Sequence, residues 1–373
     1  MTYSADYFSK VNNASLPFWT AHFSSTIITI RRSICKYTSK KIALLFFLFF
    51  INLSLAKSQI RYSQFYSSPL LINPANTGRF NKSYRIGGAF RREANAQENI
   101  YTQSTIFFDS KILNKIAPEN DCFAIGVLGL SEIGQTEGIK NTYLAISLAY
   151  QKALDDEGKQ QLGIGFQTTF AHKQLKKPTL VFEDQLLSWI NSGYTINIFQ
   201  LNDVDFTYTD LSAGLIYQGR INSTNYFTAG VSMYHITKPS RTFQGGEFNL
   251  SRQLWSHIGW EKTLADEKKI YAAFLISYSN KSINDLFGGI NCQLKLNRNN
   301  QFLLGAWIRN TVIRGTSLIP TVGLNFGGFT LNTSYDINIT TKNTNQKGAV
   351  EISLVYRNAN TRERFLENKF IKF

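Results

Sequence analysis

Cysteine and proline are scarce in this sequence, and each scarcity excludes a class of fold. The 373 residues include three cysteines, and Cys35 lies in the segment interpreted below as a leader, so no disulfide framework defines the fold. Cys122 and Cys292 lie in separate strand-like runs, where a buried or lipid-facing thiol is commoner than a bridge. Seven prolines, 18 tyrosines and 29 phenylalanines, with no long helical pattern, favour an all-β chain.

Groupings of residues that support catalysis are also lacking. The four histidines match neither HxxxH nor HExxH spacing, so the sequence offers no zinc site. Glycine-rich pieces such as Gly163–Gly165 and Gly288–Gly289 lie in or beside strand-like runs, which indicates packing or turn roles and not a phosphate cradle. No GxSxG elbow is present. We therefore expect no catalytic residue, no cofactor and no metal, and we predict that the protein is not an enzyme.

A single long apolar run occurs, at residues 42–56. Its length of about fifteen residues is short of the roughly 20 that a membrane-spanning helix needs. Lysines precede it and small residues follow it, an order typical of a secretory signal peptide. We predict cleavage after Ser58, with Ala56 as the alternative, so that residues 1–58 form a leader region. Residues 1–35 are either the product of a misplaced start codon or an extension of the leader.

Basic residues outnumber acidic ones, giving a formal net charge of +15. Such a charge can indicate nucleic-acid binding. The positive residues are scattered, however, and an exported chain rarely meets nucleic acid, so we expect no nucleic-acid partner. Anionic lipid headgroups or an acidic protein surface are the expected partners.

The most informative feature is the alternation of apolar with small or polar residues along most of the chain after residue 80. Near the end of the chain, Val350, Ile352 and Leu354 alternate with Glu351 and Ser353. Successive side chains on a strand point to opposite faces, so each strand has one apolar and one polar face. In a soluble sandwich the apolar face would cover a protein core, whereas in a membrane barrel it would meet lipid.

Alternating runs bounded by turn residues predict about fourteen strands. Their approximate spans are 83–92, 99–109, 121–131, 139–152, 160–171, 205–219, 225–235, 249–262, 268–279, 284–296, 300–310, 315–326, 328–340 and 347–357.

The predicted connections favour an all-β, transmembrane outer-membrane β-barrel of about fourteen antiparallel strands. From the fourth strand on, the link after each even strand is short, and the two longest links, 172–204 and 236–248, follow odd strands. Outer-membrane barrels combine an even strand count with short periplasmic turns and longer external loops. The exception is the link at 110–120. Tyrosines near predicted strand ends would form interface girdles: Tyr150, Tyr217, Tyr234, Tyr278 and Tyr356.

The segment Tyr62–Gly78 reads YSQFYSSPLLINPANTG. Its order of SQ, two aromatics, Pro, NPA and Gly resembles the opening signature of the PorP/SprF family of type IX secretion system outer-membrane proteins. Weaker motifs of that family follow in order as far as the last predicted strand. They include Tyr101, Thr102, Ser104 and Asp109, then Ala229–Ser232 with His235, Thr237 and Pro239, then Gly305, Trp307 and Arg309, then Ser334–Asp336, and finally Glu351–Tyr356.

The resemblance implies a barrel of the type IX protein secretion and gliding machinery, located in the outer membrane and surrounded by its lipid. Implied partners are periplasmic ring and lipoprotein subunits of that machine and a secreted adhesin cargo. The expected divisions are a periplasmic N-terminal segment at 59–82, a barrel at 83–357 and a basic tail at 358–373.

Two functional assignments accompany the resemblance. The opening segment is a candidate partner-docking site or a barrel plug or brace, through residues Gln64, Phe65, Tyr66, Pro69, Asn73, Pro74 and Gly78. Tyr356, as the aromatic that ends the last strand, is the candidate assembly signal in preference to Phe373. The alternative function is a passive pore or a transporter of hydrophobic compounds.

Overall fold

A computed structural model describes residues 62–95, 100–113, 117–118, 120–134, 138–175, 204–243, 246–264, 268–280, 282–297, 300–311, 315–341 and 346–358. Every described residue belongs to one compact unit, Ser54–Phe373. The predicted signal peptide, both cleavage positions and the tail after Asn358 lie outside the described residues.

Fourteen strands close into one antiparallel barrel, as the alternation predicts, and a separate two-stranded hairpin lies in one connection. The elements are β1 (Tyr84–Asn95), β2 (Ile100–Ile112), β3 (Cys122–Gly134), β4 (Ile139–Ala153), β5 (Gln160–Leu175), β6 (Val204–Arg220), β7 (Asn225–Tyr234), β8 (Ser240–Phe243), β9 (Gly246–Asn249), β10 (Gln253–Thr263), β11 (Lys269–Ser279), β12 (Ser282–Lys295), β13 (Asn300–Thr311), β14 (Gly315–Phe326), β15 (Phe329–Thr341) and β16 (Gln346–Asn358).

Each barrel strand pairs with its sequence neighbour, apart from β7, which pairs with β10 across the β8–β9 hairpin. Closure comes from β1 and β16, which pair from Tyr84 opposite Asn358 to Asn95 opposite Gln346. A closed sheet has no free edge strands, so the backbone hydrogen-bonding groups of the wall are satisfied within it. The hairpin β8–β9 is the one described pair of strands that the sequence pattern did not predict.

The two faces of the wall differ as the alternation predicts. On β16, Ile352 exposes 47% of its surface on the outside, whereas Glu351 on the inside is fully buried. Exposed leucine, isoleucine, valine and phenylalanine side chains recur at the outward positions of nearly every barrel strand. An exposed apolar band of this extent is the surface that a bilayer covers. Among the described residues no helix is long and apolar enough to cross a bilayer.

Replacing Ile352 by arginine tests which solvent surrounds the outer face. Arginine near the middle of the bilayer costs a barrel about 2–4 kcal/mol of folding free energy, so we expect Ile352→Arg to lower the unfolding free energy in lipid by that amount. The matched control is Ile221→Arg, because Ile221 is 70% exposed in the turn after β6 and outside the apolar band. Equal effects of the two substitutions would contradict a lipid-facing wall.

The two longest connections, after β5 and after β7, lie at one end of the barrel. At the other end, which carries the start of β1 and the end of β16, the connections are short apart from the link at 113–121. This end includes the β14–β15 turn at Gly327 and Gly328, whose φ angles of +53° and +91° suit glycine. Short turns mark the periplasmic end of outer-membrane barrels. We refer to this end as the periplasmic end.

Four of the five predicted girdle tyrosines lie on the outer face, and the prediction for Tyr234 is wrong. Its hydroxyl donates to the backbone oxygen of Leu71 at 3.0 Å, inside the barrel. Neither of the two described cysteines forms a disulfide; Cys122 is buried and Cys292 is half-buried.

Candidate functional site

The lumen is occupied by the chain's own N-terminal residues. Tyr62–Phe80, called here the lumen segment, lie inside the barrel and every one of them is buried. The segment folds as three single turns of 3-10 helix, at Phe65–Ser67, Pro69–Leu71 and Pro74–Asn76. Proline begins the second and third turns, where its missing N–H costs nothing. The sequence pattern placed residues 59–82 on the periplasmic side, and the described part of them lies among the inward-facing side chains.

Polar contacts fix the start of the segment to β15 and β16. The backbone N–H groups of Ser63 and Gln64 donate to the Glu351 carboxylate at 2.7 and 2.9 Å. The Ser63 hydroxyl donates to Asp336 at 2.7 Å. Gln64 also donates to Ser334 Oγ at 2.9 Å. All these groups are buried, where each satisfied hydrogen bond avoids a desolvation cost.

Two arginines neutralise the charge of the carboxylates that accept these hydrogen bonds. Arg91 lies 2.7 Å from Asp336 and 3.4 Å from Glu351, and Arg309 also pairs with Asp336. We call Arg91, Arg309, Asp336 and Glu351 the charge cluster. The side chains of these four residues are at most 10% exposed. Charges so deep in a protein persist only when they are paired and hydrogen-bonded.

Aromatic rings hold the next part of the segment against β12 and β13. The rings of Phe65 and Trp307 meet edge to face with centroids 5.3 Å apart, and Tyr66 stacks on Trp307 at 5.4 Å. Phe65 also meets Phe287 at 5.2 Å. The indole of Trp307 is fully buried and donates to Asn291 Oδ1 at 2.9 Å. Aromatic pairs of this geometry add about 0.5–1.5 kcal/mol each beyond their buried area.

Asn73 and Pro74 fit against small residues on β5, β6 and β7. The Asn73 amide donates to the backbone oxygens of Leu215 and Val231 at 3.0 and 3.2 Å, so one side chain links β6 and β7. Its Oδ1 also caps the third turn by accepting from Ala75 N at 2.9 Å.

Inward-facing glycines leave the space for this turn. An ideal Cβ on Gly165 would lie 2.6 Å from Ala75 Cα and closer still to Ala75 N and Pro74 C. Gly214, opposite Gly165 on β6, has no room for a Cβ beside the Asn73 side chain. A side chain at Gly165 would exclude the backbone of the lumen segment, and one at Gly214 would displace the Asn73 side chain.

The periplasmic end of the segment is held by an ion pair on β1 and β2. Arg85 donates to both carboxylate oxygens of Asp109 at 2.9 and 2.7 Å. The same carboxylate accepts from Gly78 N at 2.9 Å. Gly78 has a φ of +71°, a conformation that favours glycine.

All seven residues singled out in the segment therefore lie buried in the lumen, and the segment contacts the wall on opposite sides. Pro69 O accepts from Asn76 at 3.0 Å, an internal contact that shapes the segment. No residue of Tyr62–Phe80 is exposed for docking in this arrangement. The described acids and bases around the segment form ion pairs and hydrogen bonds that hold it in place. The segment spans the lumen from β1 and β2 to β12 and β13.

Sequence reasoning did not assign roles to Arg85 and Arg91, which hold the two ends of the segment. A signal was present, because both arginines share the inward face of β1 with the small residues Gly87 and Ala89. Arg309, Asp336 and Glu351 were noticed only as parts of family motifs. The structure brings them together from three strands.

Tyr356 lies on the outer face near the end of β16. Its ring is 4.6 Å from that of Phe329 and 6.3 Å from that of Tyr84, at the periplasmic rim. Its role as assembly signal stays a prediction.

We expect Tyr356→Ala to reduce the amount of folded barrel in the outer membrane several-fold, because the terminal strand then lacks its rim aromatic. The measurement is the heat-modifiable fraction on a gel. Tyr335→Ala is the control, since Tyr335 lies on the outer face of β15 away from the strand end. Truncation after Asn358 removes Phe373. If truncation reduced assembly and Tyr356→Ala did not, the assignment to Tyr356 would be wrong.

Comparison with known proteins identifies a family over most of the chain. Residues 54–356 match the model of the type IX secretion system membrane protein PorP/SprF. No match was found among curated proteins.

Solved structures similar to this chain include membrane transport proteins of low sequence identity. The toluene transporter TbuX of Ralstonia pickettii is 12% identical with a TM-score of 0.49, over 79% of this chain and 93% of that one. The monoaromatic hydrocarbon channel CymD is 9% identical with a TM-score of 0.48, over 82% and 95%. A Pseudomonas aeruginosa FadL homologue is 10% identical with a TM-score of 0.47, over 78% and 94%.

Proposed function

The chain belongs to the PorP/SprF family of type IX secretion system membrane proteins, and we propose that it serves this system by binding and not by conducting solutes. Membership makes it an outer-membrane component of type IX secretion. More specifically, we propose that its periplasmic end binds ring or lipoprotein subunits of the machinery, or a secreted adhesin cargo. The single observation that carries it is the lumen filled by Tyr62–Phe80.

A lumen occupied by the chain's own residues favours binding over conduction, because the segment lies on the route that a solute would take. The segment contacts β1 and β2 through Tyr62, which donates to Ala89 O at 3.3 Å and accepts from Thr105 at 2.7 Å. On the far side of the barrel it contacts β12 and β13 through Phe65. Since the docking candidates in the segment are buried, we place the binding surface on the periplasmic rim.

The described part of the 110–120 link supplies an ordered piece of this rim. Asn120 donates to Asp156 O at 2.7 Å, which joins the link to the β4–β5 turn. Burial alone would raise the pKa of the neighbouring Asp121. Hydrogen bonds from Tyr150 and from Ala153 N, together with Lys152 at 3.7 Å, nevertheless lower that pKa below its usual value. The Asp121 carboxylate is therefore charged throughout the physiological range and fixes this corner of the rim.

Deletion of the gene tests the proposal with two measurements in the same cells. We expect export of type IX cargo or display of surface adhesin to be lost, while uptake of small hydrophilic and hydrophobic solutes stays unchanged. Complementation with the intact gene is the control. Normal export combined with reduced solute uptake would overturn the proposal in favour of a pore or a transporter of hydrophobic compounds.

A further inference from the structure

A small pocket lies in the half of the lumen farther from the periplasmic end, and we call it the outer pocket. Its volume is about 80 Å³. The rings of Tyr143, Tyr208 and Tyr234 line it near the strand ends that lie opposite the periplasmic end. Leu71 of the lumen segment also forms part of the lining. Because the lumen segment lies between this pocket and the periplasm, a ligand reaches the pocket from the external end of the barrel.

Glu132 gives the outer pocket a buried carboxylate whose hydrogen-bond donors are all neutral. It is 5% exposed and accepts from Gln103 at 2.7 Å, from Asn141 at 3.1 Å and from the Tyr143 hydroxyl at 3.3 Å. Among the described residues no cation lies within ion-pair distance of it. The Lys173 ammonium instead lies over the Tyr143 ring, 5.9 Å from its centroid. A buried carboxylate is costly unless a cation pairs with it, so Glu132 favours a cationic ligand.

Two carboxamides of the lining provide the second observation. Gln167 and Gln253 are each 5% exposed. In the described part of the chain, Gln167 Oε1 has no hydrogen-bond donor and Gln253 Nε2 has no acceptor. Asp210, by contrast, already accepts from His235 at 2.9 Å and from Thr237 at 2.9 Å. Buried polar atoms without partners are rare in proteins, so these two amides indicate a ligand that completes their hydrogen bonds.

Size and hydrogen bonding select the end of an arginine side chain. A water molecule takes about 30 Å³ of the liquid, so about 80 Å³ suits two or three waters or the four heavy atoms of a guanidinium group. Drug-sized ligands need roughly 300–1,000 Å³. A guanidinium has five N–H donors in one plane and no acceptor, which matches the Glu132 carboxylate and the oxygen of Gln167. Its planar face also stacks on aromatic rings, which the three tyrosines provide.

We propose that the outer pocket binds an arginine side chain of an exported polypeptide at the external end of the barrel. The guanidinium donates to the Glu132 carboxylate and to Gln167 Oε1, and the Gln253 amide donates to a backbone oxygen of the same polypeptide. A carboxylate has about four acceptor positions, and the three printed donors of Glu132 leave one of them for the ligand. This inference goes beyond the proposed function, which places binding on the periplasmic rim.

Peptide binding to the purified full-length barrel in detergent tests the inference. The probe is a fluorescent six-residue peptide of glycine and serine with one central arginine, and both of its ends are blocked so that they carry no charge. The comparison peptide has citrulline in place of arginine, which keeps the shape and removes the charge. By anisotropy we expect the arginine peptide to bind at least about tenfold more tightly. Equal affinities, or binding of neither peptide, would overturn the inference.

Variants then locate the bound peptide. We expect Glu132→Gln, which removes the charge and keeps the shape, to weaken binding of the arginine peptide about tenfold. Gln167→Met removes an oxygen that has no donor to lose, so we expect a normally folded barrel that binds the peptide several-fold more weakly. Asp205→Asn is the matched control, because Asp205 lies near the external end of β6 with its side chain 57% exposed. If both pocket variants kept folded gel mobility and unchanged affinity, the peptide would lie elsewhere and the inference would be refuted.

An arginine of this chain is the competing occupant. Arg61 precedes Tyr62, which shares a hydrophobic cluster with Leu71 and Leu128 of the pocket lining. If the arginine peptide bound only after Arg61→Gln, the pocket would hold this chain's own side chain and the inference would be overturned. Because peptide binding is measured on the purified barrel and export in cells, the two proposals fail separately. Loss of export on gene deletion without peptide binding refutes the outer pocket alone, and peptide binding without loss of export refutes the export role alone.

Discussion

Replacing Gly165 by alanine will open the barrel. The added Cβ would lie 2.6 Å from Ala75 Cα, and the neighbouring contacts at Pro74 and Ala75 are backbone atoms that no rotamer change can move. The turn at Pro74–Asn76 must therefore leave its place beside β5. A barrel of fourteen strands lies close to the 16–18-stranded porins, which enclose an aqueous channel once nothing fills them.

Conductance in planar bilayers measures this opening. We expect the unaltered barrel to conduct near background and Gly165→Ala to conduct about tenfold more or higher. Gly129→Ala is the matched control, since Gly129 faces outward and its Cβ would meet only Ile106 Cγ2, at 3.4 Å.

A second measurement separates opening from misfolding. In Ser68→Cys, the thiol of the buried segment should react with a soluble maleimide only when Gly165→Ala is also present. If the gel mobility of Gly165→Ala is that of a folded barrel while conductance and labelling stay unchanged, the lumen segment is not seated against β5.

The barrel wall could be predicted from the sequence because its pattern is local. Glu351 and Ile352 point to opposite faces of the wall because they are adjacent on a strand. The same rule places Tyr234 on the inner face, because it follows the outward-facing Met233. The girdle prediction for Tyr234 therefore disagreed with the alternation. Its position near a strand end suggested a girdle, but the alternation along β7 was the stronger signal. The hairpin β8–β9 was missed because its strands are four residues long and lie in a predicted loop.

The contents of the lumen could not be predicted in the same way. Ser63 and Glu351 are 288 residues apart, and no periodic pattern indicates that they meet. The lumen segment contains no strand and no long helix. Neither the two-residue period of strands nor the 3.6-residue period of helices therefore indicates where it lies. Gly165 was one sequence signal for the segment, because a glycine at an inward position of a strand can mark a place where another backbone approaches closely. Which backbone approaches it follows only from the closed barrel.

Replacing Asp336 by alanine will destabilise the folded barrel by about 3–5 kcal/mol, the usual cost of removing one partner from a buried ion pair. Asp336 pairs with Arg91 and Arg309 and accepts from the Ser63 hydroxyl. Its loss leaves two buried guanidinium groups with one fewer carboxylate and weakens the hold on the lumen segment. The measurement is the free energy of unfolding in urea for the barrel in lipid. Glu157→Gln is the control, because Glu157 is 67% exposed in the β4–β5 turn.

A double variant separates charge imbalance from lost packing. In Arg309→Met/Asp336→Leu, one charge of each sign is removed, and Arg91 keeps Glu351 at 3.4 Å. Because buried ion pairs replaced by apolar side chains of similar volume are often nearly neutral, we expect the double variant to be more stable than Asp336→Ala, although it loses more polar contacts. A double variant less stable than the single one would show that charge imbalance is not the main cost of Asp336→Ala.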